Sequence, residues 1–343
     1  MENKQKHDLF NLPFITEAGL AIELGWVFRN SRVLLAAYQA GFFEALRQPK
    51  SAGELAAECS TDAEVSEKVL IAMCALGVLK RTGSLFDLTP LGREILLPES
   101  LRYIGGALDF SEYMWWEWSV LPDMLKGGEK YARRFRQIKE LQRDAEYIIK
   151  TDYFPLAMHT KAINGGVQFV AAHVDLSKRR LLLDIGGGPG TYSAGLCQRF
   201  PNLKAIVWDA PGPLAVARQV IRNLGLEDRI RLETGDWETD EFSPGCDVIL
   251  LSNVMHGPDS GAAEKLAKVF RALDPGGVII VQEFLLDADK NGPLEAAVFN
   301  IMVGAFSDIE LIGLIGTAGF REVALVARNP LTGSGLITAV KPG

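Results

Sequence analysis

The sequence predicts an α/β protein: an open seven-stranded sheet in the second half of the chain, preceded by an α-helical, winged-helix-like N-terminal region. Three observations carry that reading. The run Leu181-Leu182-Leu183-Asp184-Ile185-Gly186-Gly187-Gly188-Pro189-Gly190 is apolar and then breaks into four glycines, which reads as strand, tight turn and helix start. From Leu176 onward short β-rich runs alternate with helical segments, the rhythm of a parallel sheet covered on both faces. Between Ile15 and Leu97 the pattern is helical instead, with one short hairpin signal.

The N-terminal elements follow from local chemistry. Leu34, Leu35, Tyr38, Phe42, Phe43 and Leu46 form an apolar stripe at helical spacing. Ser51 followed by Glu54 is a capping box. A second helix starts near Thr61 or Asp62 and stops at Gly77, and Val78–Arg81 and Leu85–Leu88 flank the turn Thr82-Gly83-Ser84. Thr89-Pro90 then opens another helix. Helix, helix and wing resemble a DNA-binding layout, but Asp62, Glu64 and Glu67 outweigh Lys68 on the second helix, and phosphates would repel that face. A packing or dimerisation role is expected.

The region from Ser100 to Leu176 is rich in large side chains, including Phe110, Trp115, Trp116, Trp118, Phe154 and Met158, which read as core or interface and suit a flat apolar ligand. The polar stretch from Lys126 to Arg136 reads as a solvated face.

Seven strands are expected at Leu181–Ile185, Lys204–Trp208, Ile230–Glu233, Asp247–Leu251, Val278–Glu283, Val323–Arg328 and Gly335–Val340. Asn329–Ser334 is too short for a helical crossover, so the last two should form a hairpin with one antiparallel strand.

Bulk numbers bound the function. The chain has 343 residues, long enough for two cores, and its 48% hydrophobic and 23% charged content describe a folded protein. A net charge of -7 disfavours nucleic acid. The N-terminus lacks a secretory pattern and no apolar run reaches spanning length, so a cytoplasmic protein without a membrane partner is expected. Cys59, Cys74, Cys197 and Cys246 have no metal-type spacing, and no metal is expected.

Ligands of such sheets sit at the carboxyl ends of the strands. Those ends carry Gly186 and Gly188, then Asp209, then Asp236-Trp237, then Ser252 through His256, then Glu283. The glycines let a ligand approach the backbone, but Thr191 stands where a dinucleotide fingerprint has its third glycine, and Pro189 lacks a donor. Asp209, about twenty residues beyond the turn, can accept ribose hydroxyls. Asp236 and Trp237 suit an adenine. The groups are acidic and offer no phosphate partner, so a nucleoside bearing a cation is favoured over NAD or ATP.

These motifs, Asp184–Gly190, Asp209-Ala210-Pro211, Gly235-Asp236-Trp237 and Asn253-Val254-Met255-His256, resemble the Rossmann-like class I S-adenosylmethionine-dependent methyltransferases. Over nearly its full length the chain is similar to the small-molecule O-methyltransferases of secondary metabolism, which have a winged-helix-like dimerisation domain. The resemblance implies three parts: dimerisation over 1–100, a helical linker contributing to the acceptor pocket over 101–175, and S-adenosylmethionine binding over 176–343. It implies a homodimer, His256 as general base with Glu283 as its partner, and Asp184, Gly186, Gly188, Asp209, Asp236, Trp237 and Ser252 around the cofactor. Trp118, Phe154, Met158, Phe299, Asn300 and Met302 would line the acceptor pocket.

The expected reaction is methyl transfer to a hydroxyl of an aromatic or enolic small molecule. Histidine, with an ordinary pKa near 6.5, suits removal of that proton at neutral pH. One departure stands out: the family places a second acid near the histidine, whereas this chain has Val303-Gly304-Ala305-Phe306-Ser307, with Asp308 and Glu310 the nearest acids. Three alternatives therefore stay open: methylation of nitrogen or carbon, use of the cofactor for hydroxylation or rearrangement, and a ligand-sensing DNA-binding regulator.

Overall fold

The computed structural model describes residues 22–127, 153–330 and 332–343. The chain divides into two compact units, Met1–Tyr103 and Ile104–Gly343.

The first unit holds α1 (Phe28–Gln39), α2 (Phe42–Ala45), β1 (Lys50–Ser51), α3 (Ala52–Cys59), α4 (Ala63–Ala75), β2 (Leu79–Thr82), β3 (Leu85–Leu88) and α5 (Pro90–Leu96). Its helix starts are where the capping residues put them. Ser51 and Glu54 form a reciprocal capping box, Asp62 accepts the Val65 N–H, and Thr89 accepts the Gly92 N–H. β2 and β3 are antiparallel, and β1, too short to be seen in the sequence, adds to the other edge of β3. Phe43, Leu46, Leu55, Leu70, Met73 and Phe86 fill the core. On α4 Lys68 is paired with Glu64, and the wing residue Arg81 with Glu67, so the local basic charge is neutralised within the unit.

The second unit begins with α6 (Gly105–Trp118), α7 (Leu121–Met124) and α8 (Tyr153–Lys161). A Cβ on Gly106 would lie 2.6 Å from the Leu156 Cβ and 2.7 Å from the Leu156 carbonyl carbon, so α6 and α8 meet almost backbone to backbone there. Within the tryptophan cluster Trp116 is 51% exposed, whereas Trp115 and Trp118 are half-buried. The polar stretch after Gly127 lies outside the described residues. After α8 the chain makes one π-helical turn, Ala162–Gly166, broken at Asn164 and Gly165, and resumes as α9 (Val167–His173).

The sheet follows: β4 (Leu181–Ile185), α10 (Thr191–Arg199), β5 (Lys204–Asp209), α11 (Pro211–Asn223), β6 (Ile230–Thr234), β7 (Cys246–Ser252), α12 (Ala262–Ala272), β8 (Leu273–Phe284), α13 (Leu294–Met302), α14 (Asp308–Thr317), β9 (Arg321–Arg328) and β10 (Ser334–Val340). Strand order is β6-β5-β4-β7-β8-β10-β9, with β10 antiparallel to both neighbours, as the short connection required. The fifth strand starts five residues earlier than its apolar run, because Leu273 pairs with Cys246 before an irregularity in the ladder. Alternate residues feed two cores. Leu183 and Ile185 join Trp208, Leu251 and Phe306, while Leu182 joins Val207, Leu250 and Leu336. The order reverses between β4 and β7, so a crevice opens at their carboxyl ends.

Candidate active site

The turn after β4 is held open by its own geometry. Gly186, Gly188 and Gly190 all have φ between 53° and 68°, and the Gly186 N–H donates to the Trp208 carbonyl at 2.8 Å. A Cβ on Gly186 would lie 2.6 Å from Val254 Cγ1, whereas one on Gly188 would meet nothing within 4 Å. Gly186 is therefore fixed by packing. Gly188 faces open space.

Two carboxylates frame this turn. Asp209, the last residue of β5, accepts the Gly188 N–H at 2.8 Å, and burial raises its pKa against the backbone hydrogen bonds that lower it. Asp184 is 1% exposed and accepts the Ser193 hydroxyl at 2.7 Å. Burial pushes its pKa up to about 7, opposed by the Ser193 hydroxyl and reinforced by nearby Asp209.

A cavity of about 280 Å³ opens here, bounded by Asp184, Gly186, Gly188, Asp209 and Ser252 on the strand ends, and by Phe154, Met158 and Lys161 from α8. Asn253 and Gln282 also line it, and each leaves its buried side-chain oxygen without a hydrogen-bond partner. Orphaned acceptors in a polar cavity call for a ligand that donates hydrogen bonds. Together with the open face of Gly188 and the two carboxylates, they fit a cationic amino-acid nucleoside.

His256, Glu283, Asp236, Trp237, Trp118, Phe299, Asn300 and Met302 do not line this cavity. Trp237 packs edge-on against Trp208 and Phe242, with the Lys265 ammonium 4.9 Å over its ring, although its indole nitrogen comes within 3.7 Å of a Cβ on Gly186. Asp236 is engaged with the Glu238 N–H. Asn300 accepts the Ala305 N–H at 2.8 Å, which shapes the loop after α13. Trp118, the last residue of α6, and Met302, the last of α13, are both half-buried.

His256 follows β7 and Glu283 lies near the end of β8. His256 Nδ1 is 3.3 Å from Glu283 Oε2, and the histidine side chain keeps 30% exposure against 3% for the glutamate. Glu283 Oε1 accepts the backbone N–H groups of Val254 and Met255 at 2.6 and 2.7 Å. The carboxylate thus holds the loop and stands within ion-pair distance of the ring, whose buried Nδ1 makes no hydrogen bond. Phe299 sits edge-on to the imidazole at 5.3 Å and stacks on Phe284 at 4.3 Å. Asp308 pairs with Arg328 at 2.6 Å, and Glu310 pairs with Lys290 while completing the capping box of Ser307. Both acids are committed away from His256. Behind the histidine, a Cβ on Gly257 would lie 3.0 Å from the Gly304 carbonyl carbon, so the two loops touch through their glycines.

Several residues in or against the cavity wall went unread in the sequence. Tyr192, raised in pKa by burial, presents its hydroxyl to Gln282 and Ser252. His159 Nδ1 and the Thr191 hydroxyl are 2.8 Å apart, joining α8 to the start of α10. Gln282 carried a signal: with Glu283 it ends the apolar run Val278–Val281 in polar side chains. Lys161 carried none.

A seven-stranded sheet of this order, with its glycine turn at the switch point, is the class I methyltransferase fold. The O-methyltransferase domain family matches residues 140–321 and the O-methyltransferase dimerisation domain matches residues 22–97, so the chain belongs to the O-methyltransferase family, enzymes that use S-adenosylmethionine. It is 29% identical to the 3-hydroxy-5-methyl-1-naphthoate 3-O-methyltransferase of Streptomyces sahachiroi, covering 91% of this chain and 92% of that protein. It is 28% identical to the acetylserotonin O-methyltransferase of Gallus gallus, covering 86% and 90%. Human N-acetylserotonin methyltransferase, solved with S-adenosylmethionine, shares the fold with a TM-score of 0.81 at 23% identity, over 99% of this chain and 100% of that one.

Proposed function

We propose that this methyltransferase moves a methyl group from S-adenosylmethionine to a hydroxyl of a small aromatic or enolic acceptor, with His256 as general base. The observation that carries the reading is the His256–Glu283 pair, with His256 following β7, the strand that neighbours β4 and its glycine turn. The relatives support the acceptor class, since one is named for the 3-hydroxyl of a naphthoate and another for acetylserotonin.

When bound, S-adenosylmethionine supplies an electrophilic methyl carbon on a sulfonium. Asp209 would hold the ribose, and Gly186, Gly188, Asp184 and Ser252 the amino-acid end. Asn253 and Gln282 supply acceptors there for an ammonium. Asp236 and Trp237 would bound the adenine after a local adjustment. His256 takes the acceptor's hydroxyl proton on Nε2, while Nδ1 faces Glu283, whose charge fixes the tautomer and stabilises the imidazolium. Phe299 packs against the working ring and Phe154 and Met158 present an apolar wall, with Trp118, Asn300 and Met302 completing the acceptor side.

The helices Ala63–Ala75 and Phe28–Gln39 leave Phe28, Val65 and Ile71 exposed, beside exposed Trp26 and Val27, which supports homodimerisation through the matched dimerisation domain. Light scattering of the purified chain reads this directly. No helix among the described residues is long and apolar enough to cross a membrane.

Incubation with methyl-labelled S-adenosylmethionine and a panel of phenols and enols tests the activity; transfer to oxygen supports it, and label on nitrogen or carbon redirects it. Because Asp308 and Glu310 are engaged elsewhere, hydroxylation or rearrangement is the second reading. A product whose mass lacks the added methyl group would establish it.

A further inference from the structure

Lys161 is unlike every other group around the cavity. Among the described residues that line it, Lys161 is the one cation, set against Asp184 and Asp209. It forms no hydrogen bond or ion pair with the described residues; its ammonium stands 5.1 Å over the Phe284 ring. The side chain keeps exposed surface, yet crowding by the surrounding protein lowers its pKa. An ammonium that is partly desolvated and unpaired gains most from an anion arriving in the same space.

The position says which molecule brings that anion. Phe284, beneath the ammonium, stacks on Phe299, and Phe299 abuts His256, so one continuous row of rings joins Lys161 to the imidazole. Phe154 and Met158 come from the same helix as Lys161. A flat acceptor lying along this wall would carry its charge near Lys161. One ammonium sharing its cavity with two carboxylates matches a single negative charge and disfavours a phosphate.

Resting on the functional reading above, we propose that Lys161 is an acceptor-specificity residue that pairs with a carboxylate, so that the preferred substrates are aromatic hydroxy acids. The carboxylate could instead belong to the amino-acid end of the donor, and the experiment separates the two.

A hydroxynaphthoic acid and its methyl ester are titrated into the protein preloaded with S-adenosylhomocysteine, alongside Lys161→Met and Lys161→Arg. The wild type should bind the acid about tenfold or more tightly than the ester, a ratio typical of one hydrogen-bonded charge pair. Lys161→Met should erase that preference with ester affinity and S-adenosylhomocysteine affinity unchanged, and Lys161→Arg should retain it. Equal binding of acid and ester by the wild type overturns the proposal, and needs no variant to fold. So does a Lys161→Met protein that keeps the preference, or one that loses S-adenosylhomocysteine affinity instead. Acid-selective binding without methylated product would sink the proposed reaction while leaving Lys161 assigned; methylation of both without preference would do the reverse.

Discussion

Glu283 divides its two oxygens between the backbone that precedes His256 and the ring itself: Oε1 accepts the N–H groups of Val254 and Met255, and Oε2 stands 3.3 Å from Nδ1. The buried carboxylate fixes the main chain that carries His256, so the backbone rather than a hydrogen bond to the ring sets where the imidazole stands.

His256→Ala should lower kcat by about 100- to 10,000-fold, the range of general-base catalysis, with S-adenosylhomocysteine affinity nearly unchanged. Steady-state kinetics with calorimetry checks it; undiminished turnover removes the base assignment.

The glutamate has two separable roles. Glu283→Gln keeps an oxygen for the Val254 and Met255 N–H groups and should lose activity with little loss of stability. Glu283→Ala orphans two buried donors and should also destabilise the protein by about 2–6 kcal/mol, at roughly 1–3 kcal/mol each. Denaturant unfolding of both variants separates the effects; equal stability would show that the loop does not depend on this carboxylate.

Gly186 and Gly188 should respond differently to alanine although both have positive φ. At Gly186 the methyl meets Val254 at 2.6 Å, so stability and ligand affinity fall together. At Gly188 there is room, and the backbone cost is about 1–2 kcal/mol; the added methyl occupies ligand space, so binding should fall out of proportion to Tm. Thermal melts with and without S-adenosylhomocysteine distinguish the two, and parallel behaviour would refute the difference in packing.

Asp184 predicts a pH dependence of stability. Its folded pKa of about 7 lies above its unfolded value, so the native state holds a proton that the unfolded chain releases. The stabilisation is complete below the ordinary aspartate pKa and is lost as pH rises through 7, by at most about 4 kcal/mol for some three units. Asp184→Asn, which cannot titrate, should flatten the pH profile between 4 and 8 in unfolding experiments. An unchanged profile would show that Asp184 is ionised throughout.

The sequence made the sheet legible because apolar runs, glycine breaks and the short Asn329–Ser334 connection each admit few structures. Caps at Ser51, Asp62 and Thr89 lie where local hydrogen bonding places them, for the same reason. What depends on tertiary placement was not legible. Lys161 reads as an ordinary helix-end lysine until the π-turn and Phe284 set its surroundings. Nothing local reveals that Asp308 and Glu310 are engaged with Arg328 and Lys290.

The contact between Gly257 and Gly304 ties the segment carrying His256 to the loop behind α13. Gly257 cannot gain a side chain unless the Gly304–Ala305 backbone retreats, whereas Gly304 has room for a Cβ but a φ of 96° that disfavours one. Any evolutionary or engineered retuning of the catalytic loop at Gly257 thereby drags the second loop with it, and libraries that vary this glycine alone will sample mostly broken enzymes.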